Sequence, residues 1–177
     1  LVCRPDLSPS EAPILTLAAA VAVARPAREA GVDADIKWPH DVLGPAGGQL
    51  ARGLTELAED THRDEGVVLA HPADDKAAAA TLPAGASRLQ CQLGDVDRRR
   101  FLQRTLATVH SLTGDGADLR GVLDPWREYA STLGRRVSIE TPRGAVEGRA
   151  VDVRFPGSVI VETDDGERVV HAGDCDH

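Results

Sequence analysis

Ile36 to Leu43 reads IKWPHDVL. This short stretch decides how the rest of the chain folds around it. The chain has only two lysines, Lys37 and Lys76, and aromatic residues make up 3% of it, so a lysine set beside a tryptophan is a strong local signal. A strand is expected over Ala34–Trp38. Trp38–Pro39 then turns the chain, because proline has no amide hydrogen for a ladder. Upstream, Ile14 to Ala24 is apolar at nearly every position, which predicts a helix buried on most sides. Ser10 reads as its cap, with Glu11 as the first residue and Pro13 tolerated in the first turn. Pro26 is expected to kink or end the helix, and Gly31 to stop it.

Downstream, Gly44–Gly48 reads as a loop. Leu50–Leu57 and Gly66–Ala70 read as strands around a charged turn, Glu59–Glu65. Pro72–Gly85 reads as irregular, with room for a helical turn at Asp74–Ala80. Val96, Phe101, Leu102, Leu106 and Val109 recur at helical spacing, which predicts a helix over Asp95–Ser111 with Asp95 as cap. Thr113–Gly116 is a linker, and a further helix over Leu119–Leu133 buries Leu123, Trp126, Tyr129 and Ala130. The tail changes character. Arg136–Glu140, Ala145–Arg154, Ser158–Glu162 and Arg168–His171 are short alternating runs, punctuated by Pro142–Gly144, Pro156–Gly157 and Asp164–Gly166. Four short strands at that spacing predict a small antiparallel barrel or roll, with a boundary near Thr132. The fold class is therefore α+β, and Leu1 to Arg4 resembles the end of a strand.

With 177 residues and 42% apolar content the chain has the material for one medium domain or a domain with an appendage. It has no methionine, so alanine, valine and leucine must fill the core. Leu1 as the first residue reads as a fragment or an unusual start site. The net charge of −8 opposes unspecific binding to nucleic acid or to anionic lipid. Apart from those two lysines the basic residues are arginine. A salt-rich cytoplasm favours such an acidic, lysine-poor surface; a GC-rich genome gives the same arginine bias. Cys3, Cys91 and Cys175 are odd in number and scattered, which predicts reduced thiols in a cytoplasmic protein and no metal site. Cys175 and His177 are expected on a frayed polar end. No stretch is long and apolar enough to span a bilayer.

Two stretches make the chain recognisable. "LTLAAAVAVA…AGVDADIKWPHDVL" resembles the middle of a biotin protein ligase, where a buried helix precedes a strand ending in Lys-Trp-Pro-Asn-Asp-Val. "YASTLGRRVSIETPRGAVEGRAVDVRFPGSVIVETDDGERVVHAGD" is similar to that family's C-terminal SH3-like barrel, and "GGQLARGLTEL" to its Gly-x-Lys-Leu-Ala-Gly strand. The resemblance implies a partial mixed β-sheet with helices over residues 1–131, followed by the barrel over 132–177, in a haloarchaeal-type member. It implies ATP-dependent attachment of biotin, through biotinyl-AMP and with Mg2+, to a lysine of a biotin carboxyl carrier protein. It points to Lys37 as catalytic, and to Trp38 and Asp41 as binding the substrate or nucleotide and its metal. Read from the residues alone, Trp38 and Pro39 equally suit a packed corner, and Lys37 a pair with a carboxylate such as Asp41.

Several positions depart from the family pattern. The motif's asparagine is His40. The lysine that family members direct at biotin is Gln49, and the close-packed glycine is Arg52. A Gly-Ile-Gly-x-Asn turn is replaced by Leu69-Ala70-His71-Pro72-Ala73. The family's Gly-Arg-Gly-Arg-x-Gly-Arg loop falls ahead of the segment matched by Leu1 and has no counterpart in these residues. The three arginines Arg98–Arg100 sit on a helix and lack its glycines. The expectation is thus a ligase chain that is cut short or inactive. The alternative is a non-catalytic, ligase-derived binding or interaction module. An exposed sheet edge leaves self-association as an option.

Overall fold

The computed structural model describes residues 2–3, 7–52, 54–59, 65–70, 98–114 and 116–177. The first long helix, α1, spans Pro13–Glu29. Ser10 does not cap it. The preceding turn is instead tied by Ser8, whose amide and hydroxyl both donate to Glu11 Oε2, at 3.1 and 2.6 Å. Pro26 lies inside the helix, one turn from its end, and neither ends it nor prevents Glu29 from being helical. Gly31 does stop it. At φ +88°, Gly31 donates to Arg28 O, and the Val32 amide reaches back to Ala27 O at 3.0 Å, so the last carbonyls are satisfied. From Ile14 to Ala24 every residue but Thr16 is buried, as a nearly unbroken apolar run requires.

β2 (Asp35–Lys37), β3 (Asp41–Leu43) and β4 (Gln49–Arg52) form one antiparallel sheet in the order β2-β3-β4. A second sheet joins β1 (Val2–Cys3), β6 (Glu65–Ala70) and β5 (Leu54–Glu59), in the order β1-β6-β5. The strand expected over Leu50–Leu57 is therefore two strands in two sheets. β3 takes up Asp41–Leu43, which the sequence had left between a turn and a loop. The expected cap Asp95, the helical turn at Asp74–Ala80 and most of the turn between β5 and β6 lie outside the described residues.

α2 covers Arg98–Thr113. Its inward stripe carries Val109, Phe101 and Leu112, while Leu102 and Leu106 remain exposed. At 100° per residue Leu112 lies about 20° from Phe101, but Val109 lies about 20° from the exposed Leu102 and about 80° from Phe101, so helical spacing alone does not assign the buried side. The segment expected as one helix over Leu119–Leu133 is a 3-10 turn, Leu119–Val122, capped by Asp118, followed by α3 over Leu123–Tyr129. It ends at Tyr129 because Ala130 turns extended and forms a parallel bridge with Ile36. Trp126 and Leu123 are buried as expected.

The tail holds five strands, in the order β10-β9-β8-β7-β11: β7 Arg136–Thr141, β8 Gly144–Arg154, β9 Ser158–Thr163, β10 Gly166–Val170 and β11 Asp174–Asp176. All neighbours are antiparallel, and β8 carries an irregularity between Ala150 and Asp152. The expected turns stand at the hairpins. Thr141 and Thr163 each bond the carbonyl of the glycine three residues on, at 2.7 Å. The expected frayed end is a correction. β11 pairs with β7, opposing Cys175 to Ile139, and Cys175 is 1% exposed. Three residues with aspartates at both ends carry no recognisable strand pattern, yet one buried thiol is enough to seat them.

These parts share one core. Val137, Ile139, Val153, Val159 and Val161 of the tail cluster with Ile14, Leu17 and Val21 of α1, with Ile36 and Val42, and with both tryptophans. Arg127 on α3 adds a polar clamp. Its Nε donates to Asp152 Oδ1 at 2.8 Å and its Nη2 to Val153 O at 2.7 Å. Burial works to raise the Asp152 carboxyl, but the Arg127 bond, the Val153 amide and the neighbouring guanidinium charges hold it below the usual carboxylate range.

Burial pushes the Cys175 thiol from an ordinary 9.0 up to about 11. The folded chain thus keeps a proton that the unfolded chain loses, and stability falls as pH rises from about 9 to about 11. Denaturant titrations across that window should show the fall in the wild type and a flatter profile in Cys175→Val, the two diverging by on the order of 2 kcal/mol. Replacing the indole in Trp38→Phe removes the donor to Gly157 O. A cost of about 1–3 kcal/mol is expected from the stranded carbonyl. It should be read as a fall in Tm of about 2–4 °C per kcal/mol.

Candidate functional site

The Lys37–Asp41 corner is built from its flanks inward. Arg28, at the end of α1, bonds Ala34 O at 2.7 Å and Asp35 Oδ1 at 3.2 Å, and its guanidinium lies 4.9 Å from the Tyr129 ring centre. This directs the chain from helix into β2. Strand alternation then buries Ile36 against Val42 and leaves Lys37 opposite Asp41 on the other face. Trp38, Pro39 and His40 make the turn between β2 and β3.

The turn is fastened from both sides. The Trp38 amide donates to Thr132 Oγ1 at 2.8 Å, and its indole Nε1 to Gly157 O at 2.9 Å. Trp126 Nε1 donates to Pro39 O at 3.3 Å, and the Ser131 amide to Ile36 O at 2.9 Å. Gly157 has φ +146°, and a Cβ there would lie 3.1 Å from Leu17 Cδ1 and 3.4 Å from Pro13 O. Glycine is thus required where the tail meets both the tryptophan and α1.

Among the three residues singled out from the sequence, Trp38 is a core side chain, 1% exposed. Lys37 and Asp41 come together across the hairpin as Cα partners. Asp41 is buried, and its Oδ1 accepts from Gln49 Nε2 at 2.9 Å, with His40 Nε2 3.9 Å away. Gln49, read from sequence as a lost lysine, is thus joined to the motif's own carboxylate. Lys37 Nζ lies 3.9 Å from Asp176 Oδ1 on β11. Burial, then the charges of Arg135 and Lys37, lower His177 below the usual histidine range. Sequence reasoning missed Asp176, Thr132 and Gly157 as neighbours of the motif. They lie 94 to 139 positions away with no local pattern to flag them.

The corner offers one ammonium, one buried carboxylate and amide donors. That set can screen an anion but does not make a cage for a cation. Among the described residues no group of three or more histidine, cysteine, aspartate or glutamate side chains could hold a metal ion. Among them, too, no helix is long and apolar enough to cross a membrane.

Residues 132–177 match the family model of the biotin protein ligase C terminal domain. Over 99% of its length the chain is 28% identical, across 191 aligned residues, to the bifunctional ligase/repressor BirA of Bacillus subtilis (strain 168). It covers 56% of that protein, so the chain spans about half the length of the curated relatives it matches. The fold is shared with the apo biotin protein ligase from Aquifex aeolicus, at a TM-score of 0.74 and 16% identity, over 94% of this chain and 75% of that one. It is shared as well with the Aquifex aeolicus enzyme in complex with biotin and ATP, at a TM-score of 0.69 and 19% identity, over 96% and 74%. The tail thus matches the ligase C-terminal domain by name, and the chain is similar to a ligase along nearly its whole length and in its architecture.

Proposed function

We propose that this chain works in ATP-dependent attachment of biotin, through biotinyl-AMP, to a lysine of a biotin carboxyl carrier protein, in the cytoplasm. Residues 1–131 are read as part of the catalytic domain and 132–177 as its C-terminal barrel. The observation that carries the reading is the Lys37–Asp41 corner, held by Trp38 to the tail sheet, in a chain similar to a ligase along nearly all its length. The reaction joins a carboxylate to a phosphate, so cationic and amide donors must screen two anions. Lys37 is the fixed cation of the corner, and its ammonium is assigned to the phosphate side. Trp38 keeps the strand end in place from below. Asp41 is the corner carboxylate assigned to the nucleotide or to magnesium. That ion draws most of its ligands from phosphate oxygens and water, so one carboxylate suffices as its protein contact.

A second reading, a non-catalytic binding or interaction module, is favoured by one feature. Gln49 stands where the family directs a lysine at biotin, and its amide is engaged by Asp41.

The deciding assay supplies biotin, ATP, magnesium and a carrier domain at high salt. Biotin-dependent release of pyrophosphate, lost by at least about ten-fold in Lys37→Ala, is the result the first reading requires. Calorimetric binding of biotin or of the carrier without release would establish the second, and neither binding nor release would overturn both. Gln49→Lys should raise turnover by far less than the roughly hundred-fold that one preorganised donor supplies. The new ammonium would be drawn to the buried Asp41 carboxylate that Gln49 now contacts.

A further inference from the structure

The Lys37 ammonium has a carboxylate from a distant part of the chain beside it. Asp41 is the Cα partner of Lys37 across the β2–β3 hairpin. Asp176 reaches the ammonium from β11, with Oδ1 3.9 Å from Nζ. That contact follows from the register of the tail. Cys175 is anchored in the core opposite Ile139, and strand alternation turns Asp174 and Asp176 away from that core. Seating one thiol therefore delivers a carboxylate to the motif lysine. The two partners differ in freedom. The Lys37 side chain is 21% exposed and the Asp176 side chain 93% exposed, so the lysine is largely enclosed while the acid is surrounded by water. The other charged or titratable groups of the tail that bear on this corner are Arg135, Asp174 and His177.

We infer that Asp176 positions the Lys37 ammonium and competes for it with an incoming phosphate, so that the last strand sets the anion affinity of the site. The inference rests on the nucleotide reading above. A pair this long, with one member in water, is weak enough to be displaced. A phosphate group offers several charged oxygens in place of one carboxylate and makes the stronger charge-assisted contact. On this account Asp176 keeps Lys37 extended along β11 before ligand arrives and yields it afterwards.

The small number of lysines makes the test direct. Reductive methylation of the full chain with 13C-formaldehyde labels only Lys37, Lys76 and the terminal amine. In the absence of ligand, Asp176→Asn should move the Lys37 methyl signal and leave that of Lys76 in place. Asp174→Asn, with the same change in net charge, should move neither. An unmoved Lys37 signal in Asp176→Asn overturns the inference. ATP and inorganic pyrophosphate are then titrated in turn. Both should move the Lys37 signal and bind about two- to five-fold more tightly to Asp176→Asn than to the wild type, the range expected for an exposed pair. That gain should vanish in the Lys37→Met background. Movement of the signal with equal affinities in the two proteins overturns the inference and leaves the nucleotide reading standing. If neither ligand moves the Lys37 signal in either protein, both fall.

Discussion

The structure depends on the indole of Trp38 giving its hydrogen to the carbonyl of Gly157. A buried indole N–H needs an acceptor, and a buried carbonyl left without a donor is costly. The two needs are met by residues 119 positions apart, and meeting them sets the tail against the β2–β3 hairpin. The same tryptophan gives its amide to Thr132, at the point where the tail begins. Trp126 repeats the device on the far side of the turn by donating to Pro39. In a chain with so few aromatic residues, the two largest buried side chains are thus both packing and wiring. The surrounding core is mostly valine, alanine, leucine and isoleucine, whose side chains have no polar atoms to specify an orientation.

The charges around the corner are arranged in pairs. Asp41 takes the amide of Gln49, Lys37 lies near Asp176, and Arg127 joins Asp152. The buried Asp41 carboxylate accepts from the neutral amide of Gln49, which brings no charge to the centre of the motif. A lysine in the place of Gln49 would add a positive one. For the proposed joining of two anions, a corner with one ammonium and one carboxylate supplies only part of the positive field required. For this reason the identity of residue 49, rather than of residue 38, bears most heavily on what the site can do.

Some elements were legible because a local rule was sufficient. Eleven nearly uninterrupted apolar residues made the middle of α1, and Gly31 ended it by taking a left-handed backbone. Alternating runs between Pro-Gly and Asp-Gly punctuation made the hairpins of the five-stranded tail sheet. Other elements were not legible because the decision was made elsewhere in the chain. Leu50–Leu57 divides between two sheets. β3 is short and follows a proline turn, and β11 is a strand only because β7 offers it an edge. Tyr129 ends α3 because Ala130 has Ile36 to pair with, which nothing near Ala130 announces. At the candidate site, Lys37, Trp38 and Asp41 were singled out by resemblance. Their burial and their partners were not, since Thr132, Gly157 and Asp176 have no spacing relative to the motif.

By itself the sequence determined the α+β class, the long buried helix, the hairpins of the tail and the family to which the motif points. Those properties follow from periodicity, turn chemistry and residue type, all of which act over a few positions. Only the tertiary structure decided that Trp38 is a fastening, that Gln49 serves Asp41 and that the last strand touches the motif lysine. Hydrogen bonds and ion pairs act over a few ångströms in space, and distance along the chain carries no information about them until the fold has closed.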